Sequence, residues 1–134
     1  MQTFLPVPNF VESARVLDTK RLGKQRVEAM QILNVLRATR ARAWMNHPAV
    51  RMWRHYEPAL EQYLRAMVAE WIMRGYANSI PVVRYKDVEM PRWFGRRDFH
   101  RSHQSNLLRK DAKFYRPLFP RVPDNLPYLW PVQR

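Results

Sequence analysis

A single carboxylate stands in a strongly basic part of the chain. Glu28 is the only acidic residue between Thr19 and Tyr56. The same stretch carries nine cations, namely Lys20, Arg21, Lys24, Arg26, Arg37, Arg40, Arg42, Arg51 and Arg54. On a helix Lys24 precedes Glu28 by one turn, so an ordinary surface ion pair is one explanation of this acid. The alternative is chemical, because a carboxylate can stabilise an oxocarbenium-like sugar carbon or transfer protons at a glycosidic bond.

The net charge indicates the class of partner. The 134 residues include 24 Lys or Arg against 11 Asp or Glu, which gives a net charge of +13. Self-repulsion of this size opposes folding, so a polyanionic partner, above all nucleic acid, is the favoured explanation. A ribosome-like or purely solubilising charge is an alternative. A membrane partner is disfavoured, because no segment forms a basic amphipathic helix and no apolar run reaches the roughly 20 residues that span a bilayer.

Several kinds of chemistry are excluded or disfavoured by composition. The chain has no cysteine, which excludes disulfides, thiol nucleophiles and thiolate metal sites. Its three glycines form no phosphate-cradling loop. The H-x-x-H spacing of His100 and His103 suggests a metal site, but no acidic third ligand accompanies it, so we favour hydrogen bonding to phosphate. We expect no metal and no cofactor. The N-terminus lacks a secretory signal, so we expect a cytoplasmic, nucleoid-associated protein.

Proline and glycine divide the chain into three helical blocks, which predicts one compact all-α domain over residues 1–134. Pro6 and Pro8 keep the N-terminal segment extended. A short turn over 10–16 precedes a helix that Asp18 caps, whose apolar face comprises Leu22, Ala29, Met30, Leu33 and Leu36. Gly23 in this helix is either simply tolerated, the favoured interpretation, or permits close approach of another chain.

The second and third blocks follow the same logic. A short helix is predicted over 49–54, and a longer one begins near Pro58 and ends at Gly75, with apolar residues at 60, 63, 64, 67, 68, 71 and 72. Residues 77–99 form a loop with a short extended piece at 82–85, and Ser102 caps the third helix. The tail carries five prolines from Pro117 onward, which predicts an extended strap held by aromatic side chains.

The basic residues and tryptophans supply the candidate DNA contacts. We expect about half of the basic candidates to meet phosphate, with a correspondingly steep loss of affinity as salt rises. The candidates are Lys20, Arg21, Lys24, Arg26, His47, Arg51, Arg54, Arg92, Arg96, Arg97, His100, Arg101, His103, Arg109 and Lys110. Trp44, Trp53, Trp93 and Trp130 are interpreted mainly as core residues, with Trp93 and Trp130 the exceptions best suited to holding an extruded base.

Four segments resemble the pyrimidine-dimer DNA glycosylase family. They are LDTKRLGKQRVE at 17–28, NHP at 46–48, YLRAMVAEWIMRGY at 63–76 and HRSHQSNLLRKD at 100–111. The segment that ends at Glu28 and the RGY that ends the long helix are the most specific matches. The resemblance implies a compact, monomeric, all-helical enzyme that binds damaged duplex DNA. It also implies attack on deoxyribose C1′ by a free α-amino group, an imine, strand nicking by β-elimination, and Glu28 as the essential carboxylate.

The sequence departs from the family pattern at two places. The bacteriophage enzyme of the family loses its initiator methionine to expose a small residue, whereas Gln2 is too large for ordinary removal of Met1. Met1 would then supply the amine, and an α-amine with a reference pKa near 8 has an appreciable neutral fraction at physiological pH. An exposed Gln2 would instead cyclise and lose its nucleophilicity. The second departure is Arg26 and Val27 before Glu28, which displaces or removes one DNA contact.

Two other functions stay open at this point. The same fold can act on another modified base or on an abasic site. A non-catalytic DNA-binding module would share the basic surface without lesion preference.

Overall fold

The computed structural model describes residues 1–38 and 44–131, and these residues form six helices and no β-strand. The all-α prediction is therefore confirmed. The helices are α1 (Phe10–Val16), α2 (Thr19–Arg37), α3 (Pro48–Trp53), α4 (Glu57–Met73), α5 (Arg97–Lys110) and α6 (Ala112–Tyr115). Within the two described ranges, no helix has both the length and the apolar character needed to cross a membrane.

The α2 helix forms much as its sequence predicts. The Asp18 carboxylate accepts a hydrogen bond from the backbone N–H of Arg21 and caps the helix start. Leu22, Ala29 and Leu33 are buried against the core, and α2 packs on α4. The unexpected member of the buried face is Gln25, which is 1% exposed. A buried amide needs hydrogen-bond partners, so its surroundings bear on the site described below.

The α4 helix also matches its predicted limits. Pro58 sits in its first turn, where the missing N–H costs nothing. Gly75 follows the helix with φ +96, a left-handed conformation that favours glycine. Arg74 donates hydrogen bonds to Leu17 O (2.7 Å) and to Thr19 Oγ1 (3.1 Å). The RGY motif thus ends α4 and ties that end to the junction between α1 and α2.

The predicted start of the third helix is wrong. The α5 helix begins at Arg97, and Ser102 lies inside it, where its hydroxyl donates to Phe99 O (2.7 Å) and accepts from Leu129 N (3.2 Å). Phe99 is buried, so the apolar face of the helix extends one turn before Ser102. The extended piece predicted at 82–85 forms no strand with any described residue.

The C-terminal strap is confirmed as far as Pro131, and its last three residues lie outside the described ranges. The Arg109 guanidinium holds it by donating to Asp124 O (2.7 Å) and Leu126 O (2.9 Å). The Tyr128 ring stacks on His103 with ring centroids 4.4 Å apart. These bonds give Arg109 a structural role, and its predicted contact with DNA stays a prediction.

Gly23 marks a close contact between α2 and α4, so the interpretation of simple tolerance is wrong. A Cβ at Gly23 would lie 2.9 Å from Cζ3 of the Trp71 ring. That ring is fixed, because its indole N–H donates to Ala77 O (2.9 Å) and Tyr76 stacks on it at 4.4 Å. The neighbour that requires glycine therefore belongs to the same chain.

Replacing Gly23 with alanine should destabilise the protein. In an open helix the change stabilises by roughly 0.5–1 kcal/mol, whereas overpacking against a fixed ring costs about 1–3 kcal/mol. We expect a net loss in the free energy of unfolding, measured by urea denaturation. In a Trp71→Leu background the same Gly23→Ala change should become neutral or stabilising. An equal loss in both backgrounds would exclude the ring contact as the cause.

Candidate active site

The N-terminal segment, residues 2–6, runs through the interior without a strand partner. Its backbone is satisfied by side chains instead. The N–H of Phe4 lies 3.0 Å from both Gln25 Oε1 and the Tyr63 hydroxyl oxygen. The Tyr63 hydroxyl in turn lies 2.9 Å from Phe4 O and 2.7 Å from Gln25 Oε1, and its single proton can be donated to either. These bonds fix the segment between α2 and α4.

The next residue, Leu5, is held by two histidines of α5. Leu5 N donates to His103 Nδ1 (2.8 Å), so the proton of that ring is on Nε2. Gly95 N donates to His100 Nε2 (2.9 Å), so His100 carries its proton on Nδ1 and donates to Leu5 O (2.7 Å). Both rings are buried and neutral. The hydrogen-bonding capacity of His100 is thus used within the chain, and His103 is fully buried, so neither ring is placed to bind phosphate as the sequence predicted.

Further contacts direct the chain end toward the surface. The Trp53 indole N–H donates to Thr3 Oγ1 (3.1 Å), and the Tyr128 hydroxyl donates to Thr3 O (2.6 Å). The Gln2 side-chain amide donates to Asn106 Oδ1 on α5 (3.2 Å). Met1 takes no part in these hydrogen bonds, and it lies partly exposed.

Met1 and Glu28 line one pocket of about 430 Å³, here called the Met1 pocket. Its walls are Met1, Glu28, Gln31, Asn34, Val35 and Trp44. The N-terminal amine lies near His47. Burial lowers the pKa of His47, and the positive charge of the N-terminal ammonium lowers it further. The sequence prediction named Met1, Glu28 and His47 as site residues, and the structure brings all three to this region.

Glu28 is oriented by its neighbour on α2. Its Oε2 accepts a hydrogen bond from Gln25 Nε2 (2.9 Å). No ion pair involves Glu28 among the described residues, so the ion pair with Lys24 is absent. Burial, reinforced by the negative charge of Glu28, raises the pKa of both Tyr63 and Tyr128. Those two hydroxyls therefore remain protonated and keep donating to the N-terminal segment.

Glu28 also borders a second, smaller pocket of about 130 Å³, here called the basic pocket. Four predicted DNA-binding residues line it, and they are Lys20, Arg21, Lys24 and Lys110. Arg21 is held in place by an ion pair with Asp18 (3.2 Å). The arrangement places one acid at the edge of a cationic cleft, which suits a phosphodiester on one side and a reacting sugar on the other.

Other predicted DNA contacts lie away from this cleft. Arg26 donates to Asn78 Oδ1 (2.7 Å) and lies 4.8 Å from the centroid of the Trp71 ring. Arg97 and Arg101 line a separate pocket. About two and a half helical turns separate Arg101 from Lys110, which places them on opposite sides of α5. The predicted DNA-binding residues of α5 are thus divided between two opposite faces of that helix.

The remaining basic candidates have local contacts or lie on the surface. Arg54 donates to Met45 O beside α3, and Arg51 lies on α3 itself. Arg96 pairs with Asp98 (2.9 Å), and Arg92 is exposed in the loop before α5. The structure does not bring these four residues to the Met1 pocket.

The tryptophans are arranged differently from the sequence interpretation. Trp93 is buried and its indole N–H donates to Met52 O (3.1 Å), so its proposed contact with an extruded base is wrong. Trp44, interpreted as a core residue, is 50% exposed and lines the Met1 pocket. Trp130 packs on Tyr128 and His47. The only sequence signal for Trp44 was its position between two predicted helices.

Among residues 1–38 and 44–131, no group of three or more His, Asp or Glu side chains is arranged to hold a metal ion. The H-x-x-H spacing on α5 is explained by the two bonds to Leu5.

Comparison with known proteins adds one finding. A family model described as pyrimidine dimer DNA glycosylase matches residues 1–82 of the 134-residue chain. The match includes the helices α1 to α4 and both Met1 and Glu28. Neither the curated proteins nor the solved structures give a significant match.

The two buried histidines make stability depend on pH. Burial lowers the pKa of both, well below the ordinary value for His103. The unfolded chain takes up protons near pH 6.5 and the folded chain does so only at lower pH. The contribution of the two neutral histidines to the free energy of unfolding should therefore be fully present above about pH 7. It should decrease as the pH drops below about 6.5, by at most roughly 1.4 kcal/mol per pH unit for each histidine. Urea titrations at several pH values measure this.

A matched control is His55→Asn, because His55 is exposed and has a φ of 74 that asparagine tolerates. The control should keep the wild-type dependence on pH. A free energy of unfolding that does not decrease from pH 7.5 to 5.5 would contradict the neutral state of His100 and His103.

Proposed function

Because the chain belongs to the pyrimidine dimer DNA glycosylase family, we propose that it releases damaged pyrimidines, such as cyclobutane dimers, from duplex DNA by attack of the Met1 α-amine on deoxyribose C1′. One observation carries this proposal. Met1 and Glu28 line the same pocket, and Glu28 has no cationic partner among the described residues. A structural acid in so basic a region would be expected to pair with a cation.

The proposed chemistry begins with bond exchange at C1′. The lone pair of the amine forms a bond to C1′ while the bond from C1′ to the pyrimidine nitrogen breaks. That nitrogen keeps the electron pair and takes up a proton from water, and in a cyclobutane dimer the cleaved base stays joined to its neighbour. The new ammonium loses a proton, and opening of the C1′–O4′ bond gives a protonated imine. O4′ takes up a proton and becomes a hydroxyl. The imine acidifies the C2′–H bond, so loss of that proton can expel the 3′ phosphate and nick the strand.

Glu28 is the group suited to move these protons. Its carboxylate can accept a proton from the attacking nitrogen and return one to O4′. While ionised it also stabilises the positive charge that develops at C1′. The hydrogen bond from Gln25 Nε2 leaves Oε1 available for this purpose, since no bond to Oε1 is formed within the described ranges.

The basic pocket is the proposed site for the DNA backbone. Lys20, Lys24 and Lys110 converge there next to Glu28. A phosphate bound by these side chains would place its sugar near the acid and the amine. Neutralisation of phosphates by several cations would make affinity fall steeply with salt.

Borohydride trapping tests the chemistry directly. The wild-type chain should form a covalent adduct with ultraviolet-damaged duplex, because borohydride reduces an imine to a stable amine. The Glu28→Gln variant keeps the shape of the side chain but can neither accept a proton nor carry a negative charge, so adduct formation should fall by about 100-fold or more. The Glu12→Gln variant is the matched control, since Glu12 is an exposed acid on α1, and it should behave as wild type.

The nucleophile is tested on the same protein. Mass spectrometry of the adduct should locate the attachment on the first residue, and selective acetylation of the α-amine should abolish it. No wild-type adduct, an adduct on a lysine, or an undiminished one from Glu28→Gln would overturn the mechanism.

Gln25 should orient Glu28, and Gln25→Glu isolates that effect. The new carboxyl can still accept from Phe4 N and Tyr63, but the donor to Glu28 is replaced by a second acid. Two adjacent carboxyls share a proton, so the acid limb of the pH–rate profile should move to higher pH and the rate at neutral pH should fall about 10-fold. The Tyr63→Phe variant should lose about 1–3 kcal/mol of stability yet keep the wild-type pH profile. An unshifted profile for Gln25→Glu would contradict the positioning role.

A further inference from the structure

A second cationic pocket lies beside α5, on the side of that helix away from Lys110. It has a volume of about 370 Å³ and is here called the arginine pocket. Its cations are Arg97 and Arg101 of α5 and Arg121, which lies in the segment after α6. The arginine pocket and the basic pocket share none of their described lining residues. Neither the reaction at C1′ nor the binding of DNA in the basic pocket explains these three arginines.

The three guanidinium groups of the arginine pocket are not neutralised by described residues. None of them forms an ion pair or a hydrogen bond within the described parts of the chain, and no described acid lines the pocket. Arg21 and Arg74, by contrast, each pair with a carboxylate. The acid next to Arg97 in the chain, Asp98, pairs with Arg96 (2.9 Å). The charge of the arginine pocket is therefore available to a ligand.

The position of these cations is unfavourable for the free protein. Arg97 is the first residue of α5, where the positive end of the helix dipole repels a cation. Arg101 follows four residues later, and two like charges at this spacing destabilise a helix. Arg121 adds a third positive charge to the same pocket. An anion bound among the three would relieve this repulsion, so the arrangement favours an anionic ligand.

The side chains favour a phosphodiester over a free nucleotide. The planar fork of arginine donates two hydrogen bonds to the oxygens of one phosphate. Arg97 and Arg101 are one turn apart, about 6 Å along the helix axis, and can hold a stretch of backbone rather than a single point. A free nucleotide would also need a ring on which its base stacks. His100 is the only aromatic residue among the described lining residues, and it is 4% exposed.

The arginine pocket and the basic pocket open on different faces of the molecule. The N-terminal segment runs from one to the other through the interior. Gln2 and Phe4 line the basic pocket, Leu5 is fully buried, and Pro6 and Pro8 line the arginine pocket. A straight DNA segment bound in one pocket therefore does not pass over the other.

We propose that the arginine pocket binds the phosphodiester backbone of a second DNA segment while the first is held in the basic pocket. The protein then passes from one segment to the other without release, because a segment captured by one pocket stays at high effective concentration for the other. This inference rests on the proposed binding of DNA in the basic pocket, but not on the reaction at C1′.

The exchange of undamaged DNA tests the second pocket without any chemistry. The protein is bound to a short fluorescent duplex, and release of that duplex is timed after addition of the same duplex without a label. The release rate should rise in proportion to the concentration of unlabelled duplex, because the second segment binds before the first leaves. Inorganic phosphate at equal ionic strength should produce no such rise.

Three substitutions assign this exchange to the arginine pocket. Arg97→Gln, Arg101→Gln and Arg121→Gln together should lower the dependence on unlabelled duplex by about 10-fold or more, since three phosphate contacts are lost. Arg121→Gln alone changes one exposed side chain outside the helices and should lower it by about 2- to 3-fold.

The matched control removes the same charge elsewhere. It combines Arg84→Gln, Lys86→Gln and Lys113→Gln, which are exposed and line neither pocket. Its exchange should stay within about 2-fold of wild type, the change expected when no phosphate contact is lost. Equal losses in the two triple variants, a wild-type release rate that ignores the unlabelled duplex, or an equal rise with inorganic phosphate would overturn the second DNA site.

Direct binding separates this inference from the proposed function. With Lys20, Lys24 and Lys110 changed to glutamine, weaker binding of duplex at low salt should persist through the arginine pocket. Adding the three arginine substitutions should then abolish it. A lysine variant that binds as tightly as wild type would contradict the proposed role of the basic pocket alone. A lysine variant that binds no duplex, or one whose binding survives the arginine substitutions, would overturn the second DNA site.

Discussion

The buried backbone of Phe4 and Leu5 is the constraint on which the rest of the structure depends. An extended segment inside an all-α protein has no strand to pair with, and unpaired buried N–H and C=O groups are costly. Side chains from three long helices replace the missing strand: Gln25 of α2, Tyr63 of α4, and His100 and His103 of α5. Each of these residues is polar at a position where its helix is otherwise buried. The helices therefore assemble around the N-terminal segment, and its free end emerges at a fixed place.

The same bonds link the position of the chain end to the orientation of the acid. Gln25 uses its oxygen on Phe4 N and Tyr63 and its nitrogen on Glu28. One amide therefore sets both the depth of the segment that carries Met1 and the direction of the carboxylate beside it. Such a site is held by buried hydrogen bonds between regular elements, so it requires little rearrangement before it can react. Because Tyr63 and His103 hold the segment that carries Met1, changes at these residues would alter both the stability of the fold and the position of the chain end.

The sequence predicted the features that depend on residues close together in the chain. The Asp18 cap, the length of α4 and the isolation of Glu28 are visible within one or two helical turns. The start of α5 was missed because Ser102 is a good capping residue in isolation, whereas the packing of Phe99 extends the helix. The histidines and Trp44 were misread for a related reason. His103 bonds to a residue 98 positions away, and the exposure of Trp44 depends on where α2 and α3 lie. Neither the long-range hydrogen bond of His103 nor the position of Trp44 produces a periodic pattern in the sequence.

The distance between α2 and α4 connects these local features to the site. Tyr63 reaches Gln25 at 2.7 Å only if the two helices lie at the right separation. That separation is set two residues before Gln25 on α2, where Gly23 lets the Trp71 ring approach the backbone, and at the end of α4, where Arg74 bonds to Leu17 O. We expect a side chain at position 23 to push α4 outward, because its Cβ would lie 2.9 Å from the Trp71 ring, and to lengthen the hydrogen bond between Tyr63 and Gln25. Through Gln25, such a change would also affect Glu28, although no atom of Gly23 lines the Met1 pocket.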